Sequence, residues 1–171
     1  MRKSFFTLAC IIAIIVFATA CSSKESTRRI SNTLDVNLSN GTILQNIDSH
    51  GWFGDAITYL EMTFSNAEAE SIIKKIKLNE DWSTLPLTDT LKIAVYGSES
   101  PKLSNGPYLT FDDGKVIFPI IENGYYFFMD RHSNSSDIKD DTNLLSRSSH
   151  NFTIAIYDVD NNRLHYCESD T

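Results

Sequence analysis

Cysteine is scarce in this chain of 171 residues: there are three, at positions 10, 21 and 167. Two of them fall within the first 21 residues, so the body of the chain keeps Cys167 alone and has no partner for an internal disulfide. The fold must therefore be held by an apolar core. Basic residues are also few, 15 against 22 acidic ones, and five of the 15 precede Ile30; from there on 10 basic residues face 21 acidic ones, a net of −11. Such a domain is a poor match for a phosphate backbone, which argues against nucleic acid as a partner. A permanent membrane span needs about 20 apolar residues, and the longest apolar run here covers 13, from Phe5 to Phe17. Gly-x-Ser-x-Gly, His-Glu-x-x-His, P-loop and dinucleotide signatures are missing, as are internal repeats and low-complexity tracts. No cofactor is implied, and enzymatic activity is disfavoured.

The N-terminus, by contrast, is patterned. Basic Arg2 and Lys3 precede the apolar run, and small Ala18-Thr19-Ala20 leads into Cys21. This is the order of an export signal over residues 1–20, with the basic end kept on the cytoplasmic side. Ala18-x-Ala20 fits ordinary signal-peptidase cleavage. Together with Cys21 it also resembles the bacterial lipobox, which implies thioether-linked diacylglycerol on Cys21 and a membrane-anchored, extracytoplasmic lipoprotein. One acyl chain holds only marginally, whereas two or three anchor stably. Residues 21–40 would then be the lipidated cysteine and a polar tether, and residues 41–171 one globular domain of about 130 residues. Within the tether, Ile30 to Asn40 reads as linker or a short edge strand.

In the domain, Thr42–Asp48 and Ala56–Phe64 read as a strand pair joined by a glycine-containing loop. Ser65-Asn66-Ala67-Glu68 is a capping box opening a helix to about Lys77, with apolar Ala69, Ile72, Ile73 and Ile76 at helical spacing and lysines at its end. Trp82 to Leu87 reads as an apolar loop pinned on the core. Thr88 caps a second helix that ends before Gly97. Asp112-Asp113-Gly114 marks a small hairpin. Aromatic Gly124–Arg131 is a buried central strand. His132–His150 is a long surface loop with Leu144 and Leu145 as its apolar anchor. Alternating Phe152, Ile154 and Ile156 begin a terminal hairpin that returns over Arg163–Glu168. Strands at both ends with helices between them predict an α+β fold: a mostly antiparallel sheet of about five strands, with two helices inserted between the N-terminal and C-terminal strands.

Two Asp-x-His pairs stand out, Asp48/His50 and Asp130/His132. Side chains two apart on a strand share a face. If the two strand ends were neighbours, two imidazoles and two carboxylates could hold zinc or another transition metal, or serve as an Asp-oriented base. Otherwise each pair caps a turn. Trp52 and Phe53, between two glycines, are candidate binding residues on a loop. Asp158–Asn162 imitates the start of a calcium loop but lacks its glycine and final glutamate, so it reads as a turn. Cys167, on a strand near His165, reads as a packed thiol.

The runs 48–55, 82–87, 123–132 and 148–158 resemble small predicted lipoproteins of Clostridia and related Firmicutes. That resemblance implies a Gram-positive membrane lipoprotein and no particular activity. The expected partners are the membrane, through the lipid anchor, and a protein, peptide or cell-wall component. The leading expectation is a binding or accessory module; the rival is an extracytoplasmic metal-binding protein or hydrolase built on Asp48, His50, Asp130 and His132.

Overall fold

The computed structural model describes residues 25–49, 56–98 and 106–171. Cys21, His50, Trp52 and Phe53 lie outside them. The chain divides between Asn40 and Gly41 into two units.

In the first unit, residues 25–34 form a helix, α1. The chain then turns through Asp35, at φ 51°, where the Ser31 hydroxyl donates to the Val36 carbonyl. This corrects the expectation of linker or edge strand over residues 30–40. The helical signal is Ile30 and Leu34, both buried and spaced by four, and it is diluted in sequence by the Ser, Thr and Arg around it.

Among its described residues the second unit is built on six antiparallel strands: β1 (Thr42–Asp48), β2 (Ala56–Thr63), β3 (Trp82–Thr84), β4 (Gly124–Asp130), β5 (Phe152–Asp158) and β6 (Arg163–Asp170). Their order across the sheet is β1-β2-β6-β5-β4-β3. The α+β class stands, with one strand more than expected. The extra strand is β3, in the Trp82–Leu87 segment expected to be loop: Trp82, Ser83 and Thr84 pair with Phe127, Tyr126 and Tyr125. Three residues are too short for an alternation to be legible. The terminal hairpin occupies the middle of the sheet, and every residue of β5 is buried.

Among its described residues the second unit also has two α-helices. The helix α2 (Asn66–Ile76) starts at Ser65, whose hydroxyl and backbone N–H both engage Glu68, and buries Ala69, Ile72 and Ile76. The helix α3 (Asp89–Tyr96) is capped by the Thr88 hydroxyl and buries Leu91, Ala94 and Val95. Alternation along the strands sorts the sheet into two faces. Tyr59, Phe128, Phe152, Ile154, Ile156 and Cys167 share one, packed with α3, Leu109 and Phe118 of the 106–122 segment, and Leu144. The other carries Leu60, Ala155, Tyr157, Leu164 and Tyr166. Helix α2 must pass from β2 to the far edge strand β3, and its buried residues do not join the first cluster. It therefore covers the second face. At Gly124 a Cβ would stand 2.1 Å from the Tyr157 carbonyl oxygen, so only glycine fits this close approach of β4 to β5. Among the described residues no helix is long and apolar enough to cross a membrane.

Candidate functional site

The register decides the fate of the Asp-x-His quartet. Asp48 pairs with Thr58 on β2, and Asp130 pairs with Phe152 on β5. Between β1 and β4 lie β2, β6 and β5, so the two carboxylates are four strand spacings apart, roughly 19 Å. They also point to opposite faces. Asp48 shares the face of Thr58 and Leu60, whereas Asp130 shares that of Phe152 and Phe128. One ion with ligand bonds near 2 Å cannot bridge them. Among the described residues no group of three or more His, Cys, Asp or Glu is placed to hold a metal. His50 lies outside those residues.

Asp130 has another occupation. It is buried, and its Oδ2 lies 2.9 Å from Nη2 of Arg147, itself largely buried. Its Oδ1 accepts the backbone N–H of His132 at 3.1 Å. His132 in turn uses Nδ1 to accept the N–H of Asn134. The second Asp-x-His pair is thus a turn whose carboxylate also holds an arginine from the 132–150 loop. Next to it Arg131 pairs with Asp170 at 2.8 Å and donates to the carbonyls of Phe152 and Ser169. Asp158 similarly organises its turn, accepting the N–H groups of Asp160 and Asn161 and the Asn161 side-chain amide. That is the turn role expected of it.

A different constellation lies on the first face, toward the end of the sheet opposite Asp130. Here β2 contributes Tyr59 and Glu61, and β6 contributes Arg163 and His165. Because Tyr59 pairs with Cys167 and Glu61 with His165, the Tyr59 and His165 rings are diagonal neighbours. The Tyr59 hydroxyl lies 2.9 Å from Nδ1 of His165. Arg163 Nη1 donates to Glu61 Oε1 at 2.9 Å. His165 is 2 % exposed, yet its Nε2 has no hydrogen-bond partner among the described residues. Whichever ring nitrogen bears the proton, this leaves one polar atom unused in a buried site, an arrangement that costs stability unless something else supplies a partner.

The electrostatics follow from burial. Desolvation pulls the His165 pKa below its usual value, against opposing pulls from Glu61 and Asp158, so the imidazole is neutral at neutral pH. Burial, followed by the Glu61 charge, pushes the Tyr59 hydroxyl far above its usual range, and it stays protonated. Burial likewise pushes up the Cys167 thiol, reinforced by Glu168. This protonated, fully buried thiol is packing rather than a nucleophile.

These groups line a cleft of about 480 Å³. Its other wall is the apolar 116–120 segment. Phe118 is buried, with its ring 6.2 Å from that of His165, while Ile120 at the lip is 83 % exposed. A second cleft, of about 590 Å³, sits at the other end of the same face, lined by Tyr108, Asp112, Ser148 and His150. The His150 ring lies 4.7 Å from Tyr108. Phe111 lines both clefts, edge-on to Tyr59 at 5.7 Å.

Sequence reasoning weighed His165 only as a base for Cys167 and overlooked Tyr59, Glu61 and Arg163. A signal was present: Tyr59-x-Glu61 and Arg163-x-His165 each put polar groups at period two along a buried strand. Only the β2–β6 register, which joins residues 102 and 106 positions apart, turns the two pairs into one site. No protein-family model, curated protein or solved structure matches this chain.

Proposed function

We propose that the chain is a lipid-anchored, extracytoplasmic lipoprotein whose residues 41–171 act as a binding or accessory module on the outer face of the membrane. The observation that carries this reading is the leader: Arg2 and Lys3, the apolar run to Phe17, and Ala18-Thr19-Ala20 immediately before Cys21. Diacylglycerol on Cys21 would supply the anchor. The similarity of the 48–55, 82–87, 123–132 and 148–158 runs to small predicted lipoproteins of Clostridia points the same way. A protein, a peptide or a cell-wall component is the partner that suits this location. The binding role is supported by the clefts on the first face, whose volumes of about 480 and 590 Å³ fall within the roughly 300–1,000 Å³ usual for ligand sites. The described residues lend the rival metal-centre reading no support, since Asp48 and Asp130 occupy opposite faces and Asp130 is paired with Arg147.

Cell fractionation of the Cys21→Ala variant tests the anchor. The wild-type chain is expected in the membrane fraction, with the mass of a diacylglycerol adduct on its mature N-terminus. The variant is expected in the soluble or extracellular fraction without that mass. A variant that stays membrane-bound to the wild-type extent overturns the proposal.

A further inference from the structure

Three features of the His165 cleft constrain what could fill it. The first is the unpartnered Nε2 of a buried imidazole on its sheet wall. The second is a pair of opposite charges at its mouth: the Glu61 side chain is 14 % exposed and the Arg163 side chain 45 % exposed, with 2.9 Å between them. Arg163 has five N–H donors, of which the bond to Glu61 uses one. The third is the apolar wall ending in Ile120, a large side chain left almost entirely in water. A simple anion would meet Glu61 and the turn carboxylate Asp158, which also lines the cleft, and a simple cation would meet Arg163. A purely apolar ligand would leave Nε2 unpartnered and cover a charge pair. A ligand with adjacent opposite charges and an apolar body satisfies all three.

We propose that this cleft binds a free apolar α-amino acid. Its ammonium would lie on Glu61 and its carboxylate on Arg163. Its side chain would run along Phe118 and Ile120, with Nε2 of His165 giving a further hydrogen bond at the base of the cleft. The zwitterion adds no net charge to a partly desolvated site, so neither Glu61 nor Arg163 is left uncompensated. The apolar side chain covers Ile120. A peptide is less suitable, because it separates its ammonium from its carboxylate by at least one residue, whereas the two protein charges are in contact. The inference rests on the reading of the domain as a binding module and is independent of the lipid anchor.

The test is an NMR titration of the full-length chain in detergent micelles, following the imidazole signals, with His165→Gln used to identify that of His165. The probes are L-leucine and L-phenylalanine, then isoamylamine and isocaproate, which each keep one charge of leucine, and finally a disaccharide and a wall-type tetrapeptide. The expected result is a saturable shift of the His165 signal with the amino acids and none of His132. The one-charge analogues should bind about tenfold or more weakly, the effect of losing one charge-assisted hydrogen bond. Glu61→Gln and Arg163→Gln should each weaken leucine binding by a similar factor. The comparison between probes on the wild-type chain does not depend on how well the variants fold. Equal affinity for leucine and either one-charge analogue overturns the zwitterion assignment. A shift with the disaccharide or tetrapeptide alone overturns the ligand class and leaves the binding-module reading standing. No shift with any probe overturns the inference and removes this cleft as support for that reading. The Cys21→Ala fractionation is decided separately from all of these outcomes.

Discussion

The two ends of the first face hold the same kinds of group and use them differently. At one end Asp130 and Arg147 meet at 2.9 Å with both side chains largely withdrawn from water, and the spare carboxylate oxygen takes the His132 N–H. At the other, Glu61 and Arg163 meet at the same distance with the arginine nearly half exposed, beside an imidazole whose second nitrogen is unused. The first end is closed: its ion pair holds a loop to the end of β4, and Nε and Nη2 of Arg147 are buried without a hydrogen-bond partner among the described residues. The second is open, with the arginine of its pair in water. Distance alone does not separate an internal strut from a receptive site; solvent exposure does.

The comparison breaks most visibly at the closed end. Asp130→Ala leaves Arg147 charged and buried without its partner, and removes the acceptor of the His132 N–H. Breaking a buried pair on one side costs about 3–5 kcal/mol. Urea unfolding of this variant should show a midpoint reduced in proportion. A loss below about 1 kcal/mol would mean that the pair is as solvated as a surface one, and the distinction between the two ends would fail.

Tyrosine hydroxyls provide the next contrast. Tyr59 bonds His165 at 2.9 Å, whereas Tyr157, on the second face, has a buried hydroxyl with no partner among the described residues; burial and the nearby Asp158 push its pKa up to about 12. Tyr59→Phe orphans the second ring nitrogen of His165 and should cost about 1–3 kcal/mol. Tyr157→Phe removes an unsatisfied group and should leave stability unchanged or raise it. Thermal or urea denaturation of the pair checks the sign, and equal losses would remove the special status of the Tyr59–His165 contact.

These contrasts also show what the sequence carried and what it did not. The capping box at Ser65, the Thr88 cap and the period-two alternation of β5 are local patterns, and each produced the element it signalled. Strand β3 was illegible because three residues hold no periodicity, and helix α1 because its apolar signal is Ile30 and Leu34 among polar neighbours. The site failed for a different reason. Two similar Asp-x-His tripeptides drew attention to Asp48 and Asp130, but register set them on opposite faces and pairing order set them four strands apart. Glu61 and Arg163 have no motif in common and become neighbours only through the β2–β6 register. Local physics is written along the chain; a site assembled across strands depends on which strands pair.

His165 makes the open end sensitive to pH. Its pKa is about 6.5 in the unfolded chain and lower when folded, because burial disfavours the charged ring. Between those two values the unfolded chain binds a proton that the folded chain does not. Stability is therefore at its full value above about pH 6.5 and declines as pH falls toward the folded pKa. Unfolding free energies measured from pH 7.5 down to 5 should fall less steeply in His165→Phe than in the wild type. Identical slopes would show that the ring is already solvated when folded.

The smallest expected effect is the most discriminating for the open end. A double-mutant cycle on Glu61 and Arg163, using Glu61→Gln, Arg163→Gln and the double variant, isolates their coupling from whatever else each side chain does. Because the arginine is exposed, the pair gains Coulomb energy in a high dielectric and loses side-chain freedom, so the coupling should be about 0.2–1 kcal/mol and should shrink when the salt concentration is raised. The same cycle on Asp130 and Arg147 should give a larger coupling that salt barely changes, since neither charge is open to screening. If Glu61 and Arg163 instead couple by several kcal/mol without salt dependence, they are a strut like the other pair, and a ligand could not readily compete for them. Weak coupling is what an open site requires: the closer the pair is to energetically neutral, the less a zwitterion must displace in order to bind.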